Sequence, residues 1–213
     1  MLENMKEYWY LYLVLLGLIA LTAFVVKKAA EASKRTHGRN QALLAKAKRE
    51  KELRDAYANL TEEVIAAAPA DTLFEGVALI LENQCQRSSD VNAFYRGLNR
   101  PQQLIYAAYY LLTDTKEAAL SAFFRRSAQP LTGDAAEAAA EMLDPRTAEI
   151  VKNMFDCFDE DNESASVIPE VLDKLDERFS AQVSQNNFYI SCGEYIKKNS
   201  TFFVRTVDST EEK

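Results

Sequence analysis

The sequence has few of the residues on which enzymes and metal sites most often depend. Of its 213 residues only one is histidine, His37, and only three are cysteine. Cys85, Cys157 and Cys192 stand far apart without a Cys-x-x-Cys spacing, which disfavours a disulfide framework and a zinc site. A cysteine nucleophile needs a base beside it, and the single histidine is remote in sequence. We therefore expect no catalysis, no cofactor, and reduced thiols in a cytosol-facing domain.

Glycine and proline are also scarce, at six and five residues. Long stretches rich in Ala, Leu, Glu and Lys, with so little punctuation, favour helices. Alternation typical of a strand is missing, apart from a short extended segment "TFFVRTV" near the end. The fold class predicted from this pattern is all-α.

Charge is missing altogether from residues 8–26. A helix of this length, at about 1.5 Å rise per residue, approaches the roughly 30 Å thickness of a bilayer's hydrocarbon core. Two alternatives fit less well. A buried helix needs a polar face, and a cleaved signal peptide needs a basic start and a small-residue cleavage site directly after the apolar stretch. The run therefore predicts a single transmembrane helix.

Both ends of this run resemble a membrane interface. Aromatic rings cluster at its start, and basic residues follow its end, with only Lys6 before it. Because positive residues favour the cytoplasmic side, residues 1–7 are expected outside and the C-terminal domain in the cytoplasm of a cell-membrane protein. The predicted interface residues are Tyr8, Trp9, Tyr10, Tyr12, Lys27, Lys28, Lys34 and Arg35.

Residues 27–60 form a predicted helical stalk. Ten Lys and Arg against three Glu occur within residues 27–54, and we expect them to contact lipid headgroups. Gly38 predicts a kink or break, since glycine costs about 1 kcal/mol in a helix interior. Leu53, Tyr57, Leu60 and Val64 recur at helical spacing, so this seam packs either on the chain's own domain or on a second copy in a homo-oligomer.

The remaining chain is acidic. Residues 55–213 carry 27 Asp and Glu against 14 Lys and Arg, which argues against nucleic acid as a partner. Residues 61–207 are predicted to form a domain of about seven helices, with residues 208–213 a disordered tail. Asn99 before Pro101, and Asp144 before Pro145, are strong helix starts.

Several segments of this domain resemble a bacterial domain family typified by a DNA-mimic protein. The resemblance covers about residues 103–204. It implies an all-helical, acidic, non-enzymatic domain that binds other proteins. The matching segments are "QQLIYAAYYLL", "LSAFFRRSAQPLTGDAAEAAAEML", "AEIVKNMFDCFDED" and "LDKLDERFSAQVSQNNFYISCGEYIKKNSTFF".

Two groups of acidic residues are candidate sites. The segment "DEDNESASVIPE" has the ligand spacing of a calcium-binding EF-hand loop, although Ser164 replaces the turn glycine. Its alternative interpretation is a solvated loop that caps the next helix. The calcium candidates in this segment are Asp159, Asp161, Glu163 and Glu170.

The second group of acidic residues could bind a basic protein, or simply confer solubility. These partner-binding candidates are Glu137, Glu141, Asp144 and Glu149.

These observations predict a single-pass membrane-anchored protein. Its cytosolic acidic helical domain would bind another protein and perform no catalysis. The alternative prediction is a membrane-tethered sensor that responds to calcium through residues 159–170.

Overall fold

The computed structural model describes residues 9–159 and 167–204, except the side chains of residues 9–13, 20, 23, 25, 29–39, 117, 185 and 186. Every regular element within these ranges is a helix, and they contain no strand. The predicted all-α fold class is therefore confirmed. The chain divides into two compact units, Met1–Arg49 and Glu50–Lys213.

The first helix of the described residues, α1, runs from Trp9 to Ala56. It is continuous through Gly38, so the predicted break at that glycine is wrong. The roughly 1 kcal/mol cost of one glycine is small beside the flanking alanine, lysine, arginine and glutamine residues, which favour helix. The side chains described between residues 40 and 49 are all exposed.

A membrane span is not found among the described residues, since no helix there is both long and apolar enough to cross a bilayer. The structure describes only part of the predicted span, residues 8–26. Tyr8 and the side chains of residues 9–13, 20, 23 and 25 lie outside the described part of the chain.

The second unit begins within the last turns of α1, and its described residues form nine further α-helices. A 3₁₀ helix, Ser200–Phe202, stands where the extended "TFFVRTV" segment was predicted, although residues 205–207 of that segment lie outside the described residues. The helices are α2 (Glu62–Ala67), α3 (Ala70–Arg87), α4 (Val91–Gly97), α5 (Arg100–Glu117), α6 (Leu120–Arg126), α7 (Leu131–Met142), α8 (Pro145–Phe158), α9 (Pro169–Gln182) and α10 (Gln185–Lys198).

Helix α5 lies at the centre of this unit and packs against α3, α6, α7 and α10. Leu104, Ile105 and Leu111 on α5 are fully buried, as are Phe74 on α3 and Phe123 on α6. Helices α3 and α10 share the most extensive contact, and α8 packs on α7 and α9. The α7–α8 pair thus packs on α5 through α7 and on α9 through α8.

The predicted apolar seam does not lie on a single helix, because α1 ends at Ala56 and α2 begins only at Glu62. Its residues nevertheless pack on the domain core. Tyr57 and Leu60 are each 7% exposed. The Tyr57 hydroxyl also lies 2.9 Å from that of Thr72. The structure therefore favours packing on the chain's own domain over pairing with a second copy.

Both predicted helix starts are present. The Asn99 side chain accepts a hydrogen bond from the Gln102 amide nitrogen (3.1 Å), and the Asn99 amide donates to the Gln102 side chain (3.3 Å). This capping box opens α5. Asp144 caps α8, with Pro145 at its first position. Such caps need only neighbouring residues, which explains why the sequence is sufficient to locate them.

Candidate functional site

An open groove runs between the exposed faces of α7 and α8. Only two residues join these helices, and the two helices pack against each other. The groove is lined by Ala136, Glu137, Ala140 and Leu143 on one side, and by Pro145, Ala148, Glu149, Lys152, Phe155 and Asp156 on the other.

The floor of this α7–α8 groove is apolar and accessible. Ala136, Ala148 and Phe155 are half-buried, and Ala140 is exposed. The core-facing residues of the same two helices are different ones, among them Ala139, which is 1% exposed. The helices therefore have apolar residues on two faces, one for the core and one towards solvent.

Glu137, on the groove rim, is held in place by Arg100 from α5. The Arg100 guanidinium donates two hydrogen bonds to the Glu137 carboxylate, one of them from Nε to Oε1 at 3.1 Å. Its Nη1 also donates to Asp134 at 2.6 Å. Hydrogen bonding to Glu137, more than to Asp134, raises the pKa of Arg100. Because the contact is bidentate, the Glu137 carboxylate has a fixed orientation.

Behind this ion pair lies a buried polar network. The Tyr95 hydroxyl donates a hydrogen bond to Asp134, which is 7% exposed. Burial, reinforced by the Asp134 contact, raises the pKa of Tyr95. The Gln103 side chain donates to the Tyr95 carbonyl at 3.1 Å and accepts from Arg100 at 3.2 Å. The network ties α4, α5 and α7 together.

The other acidic candidates separate into different roles. Glu141 lies beside Tyr195 of α10; burial, and then the Glu141 charge, raise the pKa of Tyr195 to about 12. The Asp144 carboxylate accepts hydrogen bonds from the Thr147 hydroxyl (2.6 Å) and from the Arg146 amide (3.1 Å). The pKa of Asp144 is lowered, and the hydrogen bond from the Thr147 hydroxyl is the main cause. Neither Glu141 nor Asp144 lines the groove.

Glu149 is exposed, and its side chain makes no hydrogen bond or ion pair with any residue that the structure describes. Near it, Lys152 donates to Asp156 at 2.7 Å. Of the four partner-binding candidates, the structure thus brings only Glu137 and Glu149 into one groove. The apolar floor was missed by sequence reasoning, although Ala136 and Ala140 lie one helical turn apart in an alanine-rich segment.

The structure describes two of the four calcium candidates. Asp159 is half-buried and Glu170 is exposed in the first turn of α9. Asp161 and Glu163 lie outside the described residues. Among the residues that are described, no group of three His, Cys, Asp or Glu could hold a metal ion. Calcium binding therefore stays a prediction.

The predicted membrane-interface residues are likewise mostly outside the described part. Tyr8 is not described, nor are the side chains of Trp9, Tyr10, Tyr12, Lys34 and Arg35. Lys27 and Lys28 are exposed, and the Lys28 Nζ lies 5.5 Å from the centre of the Phe24 ring.

Two of the three cysteines, Cys157 and Cys192, lie in surroundings that disfavour a thiolate. Cys85 and Cys192 are buried and Cys157 is half-buried, all three as free thiols. Burial raises the pKa of Cys157 and of Cys192. Reactive cysteines have a lowered pKa instead.

Comparison with known proteins identifies one relationship. Residues 96–199 match the family described as DMP19-like protein. No curated protein and no solved structure matches the chain. The matched residues include α5–α10, and with them both walls of the α7–α8 groove and Arg100. The resemblance expected from the sequence is thus confirmed by this match over residues 96–199.

Proposed function

We propose that this chain is a single-pass membrane-anchored protein whose cytosolic helical domain binds another protein and performs no catalysis. The observation that carries the proposal is the α7–α8 groove. It combines an apolar floor with two of the four acidic residues expected at a partner-binding site, Glu137 and Glu149.

The groove has the composition of a binding surface rather than of an ordinary solvated face. Its solvent-accessible apolar floor is bordered by charged residues, and apolar patches rimmed by polar groups are typical of interaction sites. The Arg100 ion pair holds Glu137 in one orientation. A rim group that is already ordered loses less conformational entropy when a partner binds.

The membrane anchor is supported by residues 8–26. Each Leu, Ile, Phe or Val favours bilayer insertion by roughly 0.3–0.6 kcal/mol at mid-helix, and the run has no charge to oppose them. Those of its large apolar side chains that the structure describes are more than half exposed; they are Val14, Leu15, Leu16, Leu18, Ile19, Leu21, Phe24 and Val26. Such a surface is costly in water and favourable in lipid.

The proposed orientation follows from charge. Lys27 and Lys28 directly follow the run and are exposed, which favours a cytoplasmic location for the C-terminal unit. The free thiols of that unit agree with a reducing compartment.

Site-specific photocrosslinking in cells that naturally produce the protein tests partner binding. A photoreactive amino acid replaces Ala140 in the groove, and a matched variant carries it at Ala181, which is exposed on α9. We expect a discrete adduct of higher mass from position 140 and none from position 181. If position 140 yields no adduct, or both positions yield the same one, the groove is not the binding site.

A further inference from the structure

We infer that the α7–α8 groove binds an amphipathic α-helix whose apolar face bears small residues and is flanked by lysine or arginine. This inference rests on the proposed function, because it names the kind of partner that the groove accepts. It is argued from the shape of the floor, the type of wall and the charges on the rim.

The floor allows a helix to approach closely. Ala136, Ala140 and Ala148 have the smallest side chains that still favour helix, and they extend along both walls. Helices pack at interaxial distances of about 8–10 Å, and the shorter distance requires small residues at the contact. Phe155 and Leu143 are the large apolar side chains among the lining residues, so the partner needs small residues opposite them.

The walls exclude other common modes of peptide binding. A peptide strand binds by adding to a sheet edge with unpaired backbone groups. Both walls here are α-helices, whose backbone groups are paired within each helix along the groove. Proline-rich peptides use grooves lined with several aromatic rings, whereas Phe155 is the only aromatic residue among the lining residues.

The rim favours a basic partner. The lining residues include three acids, Glu137, Glu149 and Asp156, against one base, Lys152. Arg100 binds Glu137 and Lys152 binds Asp156, whereas Glu149 makes no ion pair with a described residue. Glu149 is therefore the carboxylate best placed to bind a cation of the partner. The excess of acidic residues after position 54 adds longer-range attraction.

A synthetic peptide tests this inference with full-length protein in nanodiscs of uncharged lipid. The fluorescent peptide has about 14 residues, or four helical turns, with alanine and leucine on one face and lysine on the other. Two controls have the same length. One is scrambled so that no apolar face forms, and the other carries glutamate in place of lysine. Fluorescence anisotropy measures binding.

We expect the basic amphipathic peptide to bind and both control peptides to bind at least about tenfold more weakly. Ala140→Leu, which fills the groove, and Glu149→Lys, which reverses the rim charge, should each weaken binding about tenfold. The matched surface variants Ala181→Leu and Glu177→Lys on α9 should remain within about twofold of the unsubstituted protein. Circular dichroism checks that each variant is folded.

Three results would overturn the inference: no binding at roughly 1 mM peptide, equal binding to groove and α9 variants, or equal binding of the lysine and glutamate peptides. The second of these would reveal binding to lipid or to another face. If the peptide fails while the Ala140 position still crosslinks a partner in cells, the inference falls and the proposed function stands. If the peptide does not bind and the Ala140 position crosslinks no partner, both the inference and the proposed function are wrong.

Discussion

At the scale of single residues, Asp144 has the clearest measurable effect. Its side chain caps α8 by accepting hydrogen bonds from the Thr147 hydroxyl and from two amide groups. Removal of such a cap typically costs about 1 kcal/mol. We expect Asp144→Ala to lower the free energy of unfolding by about this amount, as measured by urea denaturation at neutral pH. Glu149→Ala, at an exposed position on the same helix without a described partner, should change it by less than about 0.5 kcal/mol.

The same residue predicts a dependence on pH. The folded protein lowers the pKa of Asp144 below its ordinary value, mainly through the Thr147 hydroxyl. The stability that this carboxylate contributes is therefore present above about pH 4 and is lost as the pH falls through the lowered folded pKa. Asp144→Asn keeps an acceptor for the cap but cannot titrate. An unchanged acid dependence in the Asp144→Asn variant would contradict this assignment.

Residues whose roles depend on near neighbours can be predicted from the sequence, and the others cannot. Asn99 and Asp144 contact residues two or three positions away, so their capping roles follow from the local pattern. Glu137 binds Arg100, which is 37 positions distant, and that pairing depends on how α5 packs against α7. A count of acidic residues cannot distinguish Glu137 from Glu141, although only Glu137 lines the groove.

At the scale of helices, the contact between α3 and α10 depends on a glycine. A Cβ atom added at Gly193 would lie 1.9 Å from the Ala70 carbonyl oxygen, so the two backbones touch there. Backbone cannot move aside as a flexible side chain can. We expect Gly193→Ala to destabilise the fold by about 1–3 kcal/mol or more, because the helices must separate. Thermal unfolding followed by circular dichroism measures the effect.

Gly97 provides the matched control, since a Cβ atom there meets no other atom within 4 Å. Gly97→Ala should leave stability unchanged or raise it by up to about 1 kcal/mol, because alanine loses less backbone entropy on folding. Equal effects of the two substitutions would show that propensity, not close packing, determines the outcome at Gly193.

The arrangement of helices shows where local patterns are insufficient. Asp114 and Thr115 are residue types that favour a helix N-cap, but α5 continues through both to Glu117, and α6 begins at Leu120 without a side-chain cap. Short helices such as α2 and α4 account for the difference between about seven predicted and nine observed after Ala56 in the described residues. Tertiary packing stabilises them, because isolated helices of six or seven residues are not stable in water.

At the scale of the whole molecule, composition separates the chain into regions with different preferred surroundings. Residues 8–26 are uncharged, residues 27–54 are basic and the remainder is acidic. Among the side chains that the structure describes, the buried core residues all lie after position 56, whereas the apolar ones between positions 14 and 26 are exposed. A division of this kind can be predicted from sequence alone because charge and hydropathy add along the chain without knowledge of the packing.

Cell fractionation tests the proposed anchor. Because exposed apolar side chains of residues 8–26 favour lipid, we expect the full chain to sediment with membranes, resist alkaline washing and float with lipid in a density gradient. The double substitution Leu16→Lys with Ile19→Lys should release it, since each lysine opposes insertion at mid-helix by about 2.5–3.5 kcal/mol. Leu43→Lys with Leu44→Lys, at exposed positions of α1 beyond the uncharged run, adds the same charge and should leave the protein with the membranes. Flotation separates lipid association from aggregation. Recovery of the unsubstituted chain in the supernatant, or equal release by both double substitutions, would contradict an anchor in residues 8–26.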